Sequence, residues 1–142
     1  MDNSTIEQIL ENAGVKPTAM RILVYRTLKQ CNNPISLKQA EEKLVTADRS
    51  TIFRTLNLLL KKHLVHTIED GSGSLKYELC TSHDHHSLDD QHVHFYCEQC
   101  QRTYCLHHIN IPQVELPPGF QFRTANYILK GCCPNCKNTK KL

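Results

Sequence analysis

The sequence predicts a mixed α/β (α+β) chain, with an N-terminal winged helix-turn-helix followed by a small, zinc-stapled α/β domain. Three observations carry that expectation. Helical periodicity fills the first part of the chain, two period-two stretches flank a Gly/Ser turn after it, and two Cys-x-x-Cys pairs stand further on. The expected division is 1–80 for the winged helix, 81–91 for a hinge and 92–142 for the metal-binding domain.

Ser4-Thr5-Ile6-Glu7 has the pattern of a capping box, and Ile6, Ile9 and Leu10 form an apolar stripe up to Gly14. Pro17-Thr18 opens a second helix, with Ile22, Leu23 and Leu28 at its buried face, running to about Gln30. Asn32-Asn33-Pro34 breaks it. Ser36-Leu37-Lys38-Gln39 is a further capping box, starting a short helix through Leu44. Val45–Asp48 then leads into a helix over Arg49–His63, with Ile52, Leu56, Leu59 and Leu60 inward. Two short helices across a tight turn, the second amphipathic, describe a helix-turn-helix.

Beyond it the period changes to two. Leu64–Ile68 and Leu75–Leu79 flank Glu69-Asp70-Gly71-Ser72-Gly73-Ser74, a hairpin that would form the wing. Thr81–Gln91 is polar and reads as the hinge. His92–Tyr96, Thr103–Leu106 and Phe122–Leu129 are the remaining strand candidates, and the Pro112…Pro117-Pro118 stretch leaves little room for a long helix.

Charge is unevenly spread. Residues 1–62 carry 10 Lys/Arg against 6 Asp/Glu, and residues 63–142 carry 7 against 8. Charge alone describes an ordinary solvated surface; beside a helix-turn-helix it describes a face for double-stranded DNA. Arg49, Ser50, Thr51, Phe53 and Arg54 begin the second helix of that motif, where side chains meet base edges. No stretch is long enough for a membrane span, and no charged-then-apolar leader opens the sequence. A cytoplasmic setting, with the 8 cysteines reduced, is therefore expected.

Cys97, Cys100, Cys133 and Cys136 supply four thiolates, the closed shell of a structural Zn²⁺. Cys132 is an adjacent competitor, but Cys133 alone has the two-residue spacing to Cys136. A second site is expected from His92 and His94, which share one face of a strand. His66 and Cys80 are symmetric about Gly73, so a hairpin closing there would set them opposite, about 5.5 Å apart at Cβ. His66, Cys80, His92 and His94 would then form a mixed N/S shell, and thiolate with imidazole suits Zn²⁺ better than Fe²⁺. The clustered His83, His85 and His86, with His107 and His108, read as solvated loop, and Cys31 as core.

Gly14-Val15-Lys16-Pro17-Thr18 with Arg21, Ser50–Asn57, Tyr77-Glu78-Leu79, His92–Cys100 and Gly131–Cys136 resemble, in order and spacing, the ferric uptake regulator family of metal-dependent bacterial repressors. The resemblance implies a homodimer built on the C-terminal domain, binding AT-rich inverted repeats when metal is loaded. It also assigns Lys16 and Arg21 to minor-groove or phosphate contact. The family usually has Tyr where Phe53 stands; Phe keeps apolar contact with a thymine methyl but lacks the hydroxyl. Cys80 at the wing's end resembles the zinc-uptake-regulator branch. Pro34 stands where iron sensors often carry a His, and Cys105 where an acidic ligand is usual, either as its replacement or as core. Glu78 aligns with a carboxylate ligand of other members and is an alternative to Cys80. Ala125 occupies the His position of an accessory site.

The expected function is a metal-responsive repressor of metal-uptake genes, with Zn²⁺ in the structural site and a second regulatory divalent metal, Zn²⁺ or alternatively Fe²⁺. An iron- or peroxide-sensing regulator is the alternative within the family, and a zinc-ribbon interaction module is the alternative outside it. A zinc deaminase would need His-x-Glu before Pro-Cys-x-x-Cys; no His-x-Glu occurs and Pro134 falls inside the knuckle. No small-molecule substrate, enzymatic activity or membrane partner is expected.

Overall fold

The computed structural model describes residues 2–80, 93–106, 108–123 and 125–136. The expected hinge, His92 and the His83, His85, His86 and His107 side chains lie outside them. The chain forms two compact units, Met1–Thr81 and Ser82–Leu142.

In the first unit, α1 spans Asn3–Asn12. Its cap is Asp2 rather than Ser4: the Asp2 carboxylate accepts from the Thr5 amide at 2.9 Å and the Thr5 hydroxyl at 2.8 Å. A carboxylate answers two donors at once, so the helix begins two residues earlier than the Ser4 pattern suggests. Gly14, at φ 79, ends the helix where an L side chain would be strained. α2 (Ala19–Gln30) starts at Thr18, whose hydroxyl accepts from the Arg21 amide. Its buried face is Val24, Tyr25 and Leu28, with Ile22 and Leu23 only partly covered. The inward stripe is thus rotated from the expected one.

β1 (Ile35–Ser36) leads directly into α3 (Leu37–Lys43), closed by the expected capping box of Ser36 and Gln39. α4 spans Arg49–Lys61, with Asp48 as its cap. Ile52, Leu56 and Leu59 seat it on a core shared with Ile6, Leu10, Val15, Val24, Leu28 and Val65. β2 (Val65–Ile68) and β3 (Lys76–Leu79) form the hairpin, and β1 adds to β3, in the order β1-β3-β2. This is a winged helix.

The second unit holds β4 (Val93–Cys97), β5 (Thr103–Leu106) and β6 (Tyr127–Gly131), ordered β5-β4-β6. β4 and β5 are antiparallel, whereas β4 and β6 are parallel. The last strand begins later than Phe122, because Tyr127 pairs with Val93 and Phe122 is exposed outside the sheet. Gly131 permits close approach: a Cβ there would stand 3.2 Å from the Phe95 ring, which would have to shift slightly to admit it. Among the described residues all helices belong to the first unit.

Candidate metal centres and nucleic-acid interface

The parallel register places Cys97 beside Gly131, which brings the knuckle after β4 against the knuckle after β6. The Sγ atoms of Cys97, Cys100, Cys133 and Cys136 all lie within 4.8 Å of one another. A tetrahedral shell with zinc–sulfur bonds of ~2.3 Å has sulfur–sulfur edges of ~3.8 Å. Cys100 and Cys133 stand at 3.8 Å. The donor set and spacing therefore fit a structural Zn²⁺. Cys97 Sγ accepts the amides of Cys100 at 3.4 Å and Cys133 at 3.3 Å. Burial opposes its ionisation, but these amide donors prevail and hold the Cys97 thiol at about 6. The Tyr104 hydroxyl beside Cys133 lowers that thiol too. Cys132 is not part of the four; burial and the neighbouring thiols push its own pKa up.

In the wing, the hairpin register differs from symmetry about Gly73. His66 pairs with Glu78, and Val65 with Leu79. The Glu69–Leu75 connection closes one position earlier, so Cys80 becomes the diagonal neighbour of His66 on the same face. The side chains still converge. His66 Nδ1 lies 3.2 Å from Cys80 Sγ, and Nε2 lies 2.9 Å from Glu78 Oε2. Burial disfavours charge on the ring, but Cys80 and then Glu78 outweigh it and push His66 up to about 9. In the second unit His94, 4% exposed, sits directly opposite Cys105 across β4 and β5. Each unit therefore carries its own pair or triple of donor side chains.

At the wing's tip is an ion pair that the alternating pattern did not announce. Lys76 Nζ donates to Asp70 Oδ2 at 2.7 Å, with side-chain exposures of 4% and 0%. Asp70 Oδ1 also accepts the Ser72 amide at 2.9 Å. Lys76 and Tyr77 are both buried, so period two fails at this end of β3.

On α4, Arg49, Ser50, Phe53 and Arg54 are exposed and Thr51 is half-buried. Phe53, 44% exposed, is therefore not a core residue. Arg49 makes a surface ion pair with Glu41 at 3.6 Å, and Arg54 Nη2 reaches Thr51 Oγ1 at 3.5 Å. Arg21 donates to the Lys16 carbonyl at 3.0 Å, which anchors the loop from which the exposed Lys16 projects.

The sequence profile of the Ferric uptake regulator family matches residues 12–118. The chain belongs to the ferric uptake regulator family. It is 30% identical over 145 residues to the ferric uptake regulation protein of Campylobacter jejuni, covering 94% of this chain and 87% of that one. Against the corresponding protein of Campylobacter upsaliensis the identity is 27%, covering 96% and 89%. The fold is that of the Vibrio cholerae ferric uptake regulator (TM-score 0.65, 21% identity, 89% of this chain and 98% of that one). It is likewise that of a zinc uptake regulator solved with zinc and DNA (TM-score 0.62, 22% identity, 97% and 94%). Ferric uptake regulator proteins are metal-responsive transcription regulators, not enzymes, and bind DNA as dimers. Among the described residues no helix is long and apolar enough to cross a membrane. Within this family member, the exposed α4 residues outside the sequence-based interface include Asn57, on the same face as Phe53 and Arg54. Its traces in the sequence are helical spacing and its place at the end of the Ser50–Asn57 run that carries the family resemblance.

Proposed function

We propose that this protein is a zinc-responsive DNA-binding repressor of metal-uptake genes, acting as a cytoplasmic homodimer on an AT-rich inverted repeat. The observation that carries the zinc reading is the His66 ring held between Cys80 and Glu78. Thiolate beside imidazole is a donor set suited to Zn²⁺. Cys97, Cys100, Cys133 and Cys136 hold a permanent structural zinc. His66, Cys80, His92 and His94 hold the regulatory ion, with Glu78 and Cys105 as further donors. Bound there, a divalent ion supplies a cross-link available in one arrangement of the chain only. The donors stand on both sides of the Thr81–Gln91 segment, so their joint ligation favours one presentation of α4 to DNA. Shifting such an equilibrium from mostly off to mostly on needs about 5.5 kcal/mol of differential binding. Lys16, Arg21, Arg49, Ser50, Thr51, Phe53 and Arg54 are the proposed DNA contacts.

A second reading is iron sensing. It is favoured by the Glu78 carboxylate on His66, since Fe²⁺ accepts imidazole and carboxylate, and by the ferric uptake regulation relatives. Metal content per chain, with DNA binding under anaerobic Zn²⁺ or Fe²⁺, separates the two. The expected result is that the Cys80→Ala/His92→Ala variant keeps one tight zinc but loses a second metal and zinc-dependent DNA binding. Retention of both metals, or switching by Fe²⁺ alone, would sink the zinc reading.

A further inference from the structure

Ser50, Phe53, Arg54 and Asn57 fall at i, i+3, i+4 and i+7 of α4, and all four are exposed. The opposite face, Ile52, Leu56 and Leu59, is at most 1% exposed, so the exposed stripe is held at a fixed angle to the core. From Phe53 to Asn57 the helix advances about 6 Å. That is roughly the two steps of ~3.4 Å that separate three successive base pairs. A helix lying along the major groove can therefore set three successive base edges against Phe53, Arg54 and Asn57.

The chemistries of these side chains differ in a useful way. Arg54 offers only donors, which match the two acceptors of a guanine edge. Phe53 offers only apolar surface, which matches a thymine methyl. Asn57 offers one donor and one acceptor in a plane, which matches adenine N7 and the N6 amino group together. Guanine presents two acceptors there, so the carboxamide satisfies only one of them. We propose that Asn57 is a base-reading residue that selects adenine at one position of each half-site, beside the positions read by Arg54 and Phe53. The proposal rests on the reading of α4 as the DNA-recognition helix. Arg49, turned toward Glu41 of α3, lies outside this readout.

The test uses the full chain, loaded with Zn²⁺ and separately with Fe²⁺, selecting duplexes from a randomised pool. Each base pair of the selected duplex is then substituted in turn, for wild type, Asn57→Ala and Asn57→Gln. The side chain is exposed, and the thermal melt of each variant checks that it is folded. The expected result is that Asn57→Ala loses the preference at one adenine per half-site, binding the selected duplex about 5- to 100-fold more weakly. It should be nearly indifferent to substitution at that position while discriminating normally elsewhere. Unchanged preference at every position overturns the proposal, as does a uniform loss across all duplexes, which marks a phosphate contact. Wild type that selects no sequence with either metal overturns the recognition-helix reading itself.

Discussion

Asp70 and Lys76 are the residues whose placement runs furthest against their chemistry. Both are charged, and both are almost wholly shielded from water. Such a pair is tolerated because each ion answers the other and Ser72 completes the shell. Removing one partner leaves the other buried and unanswered. Asp70→Asn should therefore cost about 3–5 kcal/mol in urea unfolding, and Asp70→Leu/Lys76→Met substantially less. Equal losses in the single and double variants would show that the ions do not act as a pair. Nothing in the local pattern announces this burial, since Lys76 sits in an ordinary alternating run. The four cysteines were legible from spacing alone, because two thiolate pairs have few other uses. His66 and Glu78 were legible as ligand candidates, but their direct pairing across the hairpin was not, because register depends on where the turn closes.

Among the elements, α4 shows how much a cap contributes to placing an interface. The exposed Asp48 carboxylate accepts the Thr51 amide at 2.8 Å, orienting the first turn, which carries Ser50 and leads into Phe53. Bonds to Thr51 prevail over slight desolvation and hold the Asp48 pKa below its ordinary 3.8. A depressed carboxylate stabilises the fold above its unfolded pKa and loses that contribution as pH falls through the folded value. Wild type should thus be more stable than Asp48→Ala at pH 7. The gap should close in the acid range below 3.8, read by melts followed through helical circular dichroism. A gap that persists unchanged at acid pH would contradict the charge-assisted cap. The helices and wing were readable because period and caps are local. The start of β6 was not, because a parallel strand is chosen by a partner far away in sequence.

At the scale of the molecule, the two units are stabilised by different means. The first has a continuous apolar core drawn from all four helices and the wing. In the second, the buried side chains among the described residues are Val93, His94, Cys97, Thr103 and Cys133. That is little apolar surface, so the proposed zinc at the four-cysteine centre would contribute much of the folding free energy; such centres supply about 10–16 kcal/mol in small peptides. Cys100→Ser, or exhaustive chelation, should expose 93–136 to proteolysis while 2–80 stays protected and helical. Protection of both segments after zinc loss would show that the sheet holds itself. The buried Lys76 has a consequence for ionic strength. A lysine neutralised inside the wing displaces no counterions from a duplex, and the exposed Glu69, next to Asp70 in the chain, is repelled by phosphate. The salt slope of DNA association should therefore be set by cations away from the wing's tip, such as the exposed Lys16 and Arg54. Lys16→Ala should lower that slope by about 1, and the uncharged double variant Asp70→Leu/Lys76→Met should leave it where it was.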